Sequence, residues 1–247
     1  MEYRPLTQAP VEAYGEHYYK SRGMRWLYDR PYDRVDFDRF IRKLSSVMPV
    51  TPETRILDLG CGFAQRAYFL AELSKHVLAV DLSQPAIDFA RKNYGHARLR
   101  LVKGDALRPP TRGRYELILL VSIYEHLLRH EQDRLLATVK PLLAPGGKIA
   151  VHVAIAESWL GRRKCTKNRT GTLDFTGDPT HVCKFKVEDV EQHFAEHGYV
   201  PAGEYRRLGS YFLAGRRLEK LFSWMGLRRS YINEFVVEWL GFFSLRR

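Results

Sequence analysis

The sequence predicts an α/β fold, a largely parallel sheet with helices packed on its faces. Three observations predict it. A short apolar run from Ile56 to Leu59 breaks at Gly60 and Gly62, then passes into a helical apolar pattern through Leu70, Ala71 and Leu73. That order is a buried strand, a glycine turn and a helix start. Two more apolar runs, His76–Asp81 and Ala97–Val102, follow at regular intervals, and each reaches an acid, Asp81 or Asp105. A strongly apolar run, Tyr115–Val121, then precedes Lys148–Ala154 across a further helical stretch. Alternation of strand and helix in this rhythm is the pattern of a parallel sheet.

The glycine turn carries the first functional expectation. Gly60 permits a turn that a Cβ would obstruct, and Gly62 lets a ligand come close to the backbone. Cys61 sits between them as a small neighbour of that ligand. Asp81 ends the second strand at about the distance expected for an acid that binds a ribose through both hydroxyls. The alternative is a helix N-cap network around Asp81 and Ser83. Pro85 then opens a helix running through Asn93, in a position where proline is favoured.

The chain has 247 residues, of which 45% are apolar, enough for one large domain with a buried core. No apolar run is long enough to span a bilayer, and Met1-Glu2-Tyr3-Arg4-Pro5 lacks the apolar core of a signal peptide, so a cytoplasmic protein is expected. Cys61, Cys165 and Cys183 are scattered without Cys-x-x-Cys spacing, which points to neither a disulfide framework nor a zinc site; no metal is expected. The net charge of +12 suits RNA, anionic lipid head groups and phosphorylated substrates alike, or simply a solvated surface.

Residues 1–50 read as an N-terminal helical cap on a main domain of residues 51–247. Tyr14, Tyr18, Tyr19, Trp26, Tyr28 and Tyr32 crowd its first part, and Val35–Val47 is an amphipathic helix stopped by Pro49 and Pro52. The aromatics either wall the cleft or pack the cap onto the sheet. A loop-rich insertion at about 157–182 holds Arg162, Arg163, Lys164, Lys167 and Arg169. Val187–His197 is a helix ended at Gly198, and Tyr199–Arg206 begins a sixth strand. Apolar residues at helical spacing from Tyr211 to Met225, with Arg216, Arg217 and Lys220 off the stripe, make a basic amphipathic helix at about 210–226, either core-facing or a lid or membrane-surface contact. Phe235–Phe243 supplies the final strand.

Taken together, these residues resemble the class I S-adenosylmethionine (SAM)-dependent methyltransferases, in the broad group of quinone, sugar and natural-product methylases. The resemblance runs from about Arg55 to Tyr199, with Ala64 standing where a third glycine is usual. It implies a Rossmann-like three-layer sandwich with a seven-stranded mixed sheet whose last strand is antiparallel. It implies SAM as cofactor and S-adenosylhomocysteine as product, held by Asp58, Gly60, Cys61, Gly62, Asp81, Leu82, Asp105, Ala106 and Ser122. Asp105 and Ala106 would meet the adenine amino group and a ring nitrogen. The Glu125-His126 pair, the Pro145-Gly146-Gly147 turn and the Asp178-x-Thr180-His181 segment also match features of the group.

Such an enzyme brings an acceptor atom into line with the methyl group, and a hydroxyl acceptor must also lose a proton. His126 and His181 are the candidate general bases, since imidazole titrates near neutrality. Glu125 or Asp178 would orient the ring or serve as the base itself. Tyr18, Tyr19, Trp26, Tyr124, Arg162, Arg163 and Asp178 are candidate contacts for a small-molecule, glycan or lipid-linked acceptor, with peripheral membrane contact as one setting. Two other readings stand beside this one: an RNA methyltransferase, suggested by net charge, and a non-catalytic SAM-binding partner protein. Ser122-Ile123-Tyr124 replaces the Asn/Asp-Pro-Pro-Tyr motif of amino-group methylases, which argues against exocyclic base methylation.

Overall fold

Burial follows the apolar pattern strand by strand. In a computed structural model describing residues 34–155, 166–167, 173–174, 180–208 and 236–246, β1 (Arg55–Leu59), β2 (His76–Asp81) and β4 (Tyr115–Val121) are buried nearly end to end. β3 (Leu99–Lys103) lies at the sheet edge and is only half covered. β5 (Leu143–Ala154), β6 (Tyr199–Leu208) and β7 (Val236–Leu245) complete a seven-stranded sheet of order β3-β2-β1-β4-β5-β7-β6. The first five strands are parallel where they pair, and β7 is antiparallel to both neighbours. A separate two-residue ladder joins Thr166–Lys167 to Leu173–Asp174.

Helices cover both faces because alternate strand residues point to opposite sides. Leu57, Leu59, Ile118, Leu120 and Val151 pack with α4 (Arg129–Val139) and α5 (Val187–Glu196). Ile56, Val77, Leu117 and Ala150 pack with α1 (Arg34–Ser45), α2 (Gln65–Leu73) and α3 (Gln84–Asn93). The described part of the cap, α1, therefore serves the core: Phe37 and Leu44 are buried, and Phe37 stacks on Phe69 of α2 at 5.0 Å. Residues 1–33 and the predicted basic helix at 210–226 lie outside the described residues.

Two of the differences from the sequence reading have a local cause. The third strand starts at Leu99, two residues late, because the Leu99 amide closes a turn onto the His96 carbonyl. Pro145-Gly146-Gly147 is not a turn ahead of β5 but a bulge inside it, where the register against β4 shifts between Tyr115 and Leu117. Glycine is required there by crowding: a Cβ on Gly147 would lie 3.0 Å from each of three carbonyl oxygens.

Candidate active site

Strand order reverses between β1 and β4, and the segments leaving their carboxyl ends face each other across that switch point, where open α/β sheets bind ligands. The turn after β1 is held by the next strand, with the Gly60 and Cys61 amides both donating to the Val80 carbonyl, at 2.8 and 3.1 Å. Gly60, Gly62 and Ala64 all have positive φ, at 72°, 53° and 55°. A Cβ on Gly60 would stand 2.9 Å from Ile123 Cδ1, so this glycine lets the turn sit against the segment leaving β4. Nothing lies within 4 Å of the place a Cβ on Gly62 would take, which leaves open space over the backbone.

Asp81 ties the turn to the next helix. Its Oδ2 accepts the Gly62 amide at 2.8 Å and its Oδ1 accepts the Ser83 amide at 2.8 Å. Burial raises its pKa, and amide bonds from Ser83, Gly62 and Leu82 pull the other way. Both readings of this acid are thus partly present. It organises the cap of α3, where Ser83 Oγ accepts the Ala86 amide at 3.3 Å, and a carboxylate with two amides bound still has lone pairs to offer. Asp58 is buried at 4% exposure, and burial pushes its pKa up to about 7, opposed by Arg66 and reinforced by Asp81. Burial with Asp81 and Asp58 nearby pushes the Cys61 thiol well above its ordinary value, which favours its neutral form. Asp105 is exposed and spends Oδ1 on the Leu107 amide at 2.8 Å; Leu82 and Ala106 are half-buried beside their acids.

Across the cleft, Ser122 leaves β4 with φ 54°, and a single 3-10 turn, Tyr124–His126, follows. The Val182 amide donates to the Glu125 carbonyl at 2.9 Å, as does the Cys183 amide at 3.1 Å. That pairing brings the two candidate imidazoles together, with ring centroids of His126 and His181 4.6 Å apart at 69°. Thr180 Oγ1 and His126 Nδ1 share a hydrogen bond of 2.9 Å. Glu125 is buried at 1% exposure. Ser122 Oγ lies 3.3 Å from His152 Nδ1, a neighbour the sequence reading missed because it comes from the far end of β5. Thr180 was visible beside His181, but nothing in the spacing showed it reaching His126.

Tyr124 is corrected. The sequence reading made it an acceptor contact, yet it is fully buried among Phe185, His193 and Phe194, with its hydroxyl bonded to His193 Nδ1. Burial drives its phenol pKa far up. Gln132 Nε2 donates to the Tyr124 and Leu127 carbonyls at 3.1 and 2.8 Å, so the turn carrying His126 is pinned from behind. Tyr18, Tyr19, Trp26, Arg162, Arg163 and Asp178 lie outside the described residues. Among the described residues, no helix is long and apolar enough to cross a membrane.

Residues 56–147 match the family model described as a methyltransferase domain. An uncharacterized protein, RP028, of Rickettsia prowazekii is 29% identical over 128 residues, covering 49% of this chain and 51% of the relative. The cypemycin N-terminal methyltransferase of a Streptomyces species is 33% identical over 107 residues, 42% of this chain and 43% of the relative. The chain thus spans about half the length of the curated relatives it matches. Among solved structures, the N-methyltransferase NodS of Bradyrhizobium japonicum, crystallised with S-adenosylhomocysteine, superposes with a TM-score of 0.63 at 17% identity, covering 94% of this chain and 96% of that one. The strand order and the glycine turn agree with that match: residues 56–147 of this chain are similar to a methyltransferase domain.

Proposed function

We propose that the protein transfers the methyl group of SAM to a hydroxyl oxygen of a small-molecule, glycan or lipid-linked acceptor, with an imidazole taking the proton. The pairing of His126 with His181, just beyond the carboxyl end of β4, carries this reading. The cofactor end fits the ligand: an open backbone at Gly62, an oriented carboxylate at Asp81, and a buried acid at Asp58 whose raised pKa a cationic ligand group would bring back down. Asp105 and Ala106 would take the base, and Leu82 and Ser122 would line the rest. SAM supplies an activated methyl on a sulfonium, which leaves without needing a proton.

The protein's part is placement and proton removal. The hydrogen bond between Thr180 Oγ1 and His126 Nδ1 orients the His126 ring for this role. His181 stands at its edge and takes the same role in the alternative assignment. The imidazole gains the acceptor's proton as the oxygen–carbon bond forms, and the electron pair of the carbon–sulfur bond stays on sulfur. Arg162 and Arg163 would then serve an anionic acceptor, with Asp178, Tyr18, Tyr19 and Trp26 as further candidate acceptor contacts.

Nitrogen is the second reading, because two proteins similar to this chain are named for N-methylation. The same base would strip an ammonium before attack. The test begins with calorimetric titration by S-adenosylhomocysteine, with NAD as control. A panel of hydroxyl, amine and RNA acceptors then follows, with the product located by mass spectrometry. Methylation at oxygen supports the first reading, methylation at nitrogen replaces it with the second, and binding of NAD alone overturns both.

A further inference from the structure

His193 and His197 stand one helical turn apart, on the last turn and C-cap of α5, and Asp133 faces them from α4. One ligating atom from each of the three lies within 4.8 Å of the others. His193 Nε2 is 2.7 Å from Asp133 Oδ1, and His197 Nε2 is 3.5 Å from the same oxygen. The far nitrogen of each ring is already engaged. His197 Nδ1 donates to the His193 carbonyl at 3.0 Å, so its proton sits there and Nε2 is bare. His193 Nδ1 is bonded to the Tyr124 hydroxyl. A hydrogen bond at the ring nitrogen away from the metal is how proteins orient metal-bound imidazoles.

We propose that Asp133, His193 and His197 form a binding site for a divalent ion of the zinc type, joining α4 to α5 and, through Tyr124, to the turn that carries His126. Two imidazoles and one carboxylate suit zinc, cobalt or nickel, whereas magnesium and calcium favour oxygen throughout. Zinc–ligand bonds of roughly 2.0–2.1 Å in a tetrahedron set ligand atoms about 3.4 Å apart. The His197–Asp133 spacing already meets this, the His193–Asp133 pair has to open by about 0.7 Å, and the two imidazole nitrogens, within 4.8 Å of each other, have to draw in. Zinc on Nε2 requires the His193 ring proton on Nδ1, with the Tyr124 oxygen accepting it and the Tyr124 hydroxyl hydrogen turned away from the ring. Three protein ligands leave a position for water.

The surrounding charges temper the affinity without abolishing it. Arg129 Nε is 3.7 Å from Asp133 Oδ1, but its guanidinium also pairs with Glu196 at 2.8 Å. Lys140 Nζ donates to the His197 carbonyl at 3.1 Å. Burial holds the His193 pKa down, aided by Arg129 and His197 and opposed by Asp133, which favours the neutral ring a metal needs. The sequence held half of this signal in the His193-x-x-x-His197 spacing; Asp133, 60 positions away from His193, shows only in the fold.

The test uses tag-free full-length protein, stripped with a chelator and titrated calorimetrically with zinc chloride, with magnesium as control. One equivalent of zinc should bind, and the unfolding midpoint should rise with it. His197→Gln, at a partly exposed position, should weaken zinc binding by about tenfold or more while leaving S-adenosylhomocysteine affinity intact, which shows that the variant folds. Wild-type protein that binds no zinc overturns the proposal and leaves a hydrogen-bonded staple. Zinc binding retained in His197→Gln but lost in a His126→Asn, His181→Asn double variant also overturns it, by placing the ion at the other imidazole pair.

Discussion

On the glycine-turn side of the cleft the site is made of backbone; on the other side it is made of side chains from distant segments. The Gly62 amide links the Gly60–Ala64 turn to Asp81 at 2.8 Å, and the Gly60 amide links it to the Val80 carbonyl, within one strand–helix–strand unit. Facing them, His126 depends on Thr180 and His181, more than fifty residues downstream, and on Tyr124, held by His193 at a separation of 69. A site half built from neighbouring amides is fixed as soon as its unit folds. A half built from side chains exists only once the far chain has docked.

The predictions sharpen that contrast. The largest effect belongs to the assembled half: replacing His126 and His181 separately by Asn should cost one of them about 10²–10⁴ in turnover on the identified acceptor, with cofactor affinity unchanged. Equal, small losses would remove both as the base. On the backbone half, Asp81→Ala should lower S-adenosylhomocysteine affinity by about 100-fold, measured by calorimetry, through loss of charge-assisted hydrogen bonds. Unchanged affinity would restrict Asp81 to its capping role.

Asp58 tests how far burial shapes this half. Its folded pKa, about 7, lies above the ordinary 3.8, so its contribution to stability is complete below the lower value and is lost as pH rises through the higher. Urea unfolding of the ligand-free protein should therefore show Asp58→Asn gaining on wild type between about pH 4 and about pH 7, by roughly a few kcal/mol. A pH-independent difference would mean that the carboxyl is ionised throughout. Smallest is Ser122→Gly. The left-handed φ of 54° at this exposed serine should make the glycine variant more stable by about 1 kcal/mol, read from its unfolding midpoint. Loss of stability instead would mean that the Ser122–His152 contact outweighs backbone strain.

The same contrast decides what the sequence could reveal. The glycine turn, Asp81 and the sheet strands were legible because each rests on residues a few positions apart, where period and turn chemistry act directly. The Pro145-Gly146-Gly147 bulge was half legible: the need for glycine was plain, but its place within β5 depends on carbonyls of β4. Tyr124 was misread because a tyrosine after an apolar strand looks the same whether it faces the cleft or the core. Only Phe185, His193 and Phe194, supplied by a later helix and its approach, decide the direction. His126 and His181 were each visible, but their contact was not, since it rests on the Val182 and Cys183 amides finding the Glu125 carbonyl.

The place of β7 bears on how the chain is made. Residues 236–245, the last described strand, lie between β5 and β6 and not at the sheet's rim. During synthesis β5 and β6 therefore wait as open edges with no partner while the intervening chain emerges, a period in which unpaired strands invite wrong pairings. Trp239 closes that gap, its indole donating to Glu204 of β6 at 2.8 Å and its ring lying over Gly241. A ribosome stalled a few codons short of this strand would hold a chain whose sheet still ends at β5, with β6 lacking the strand through which it joins.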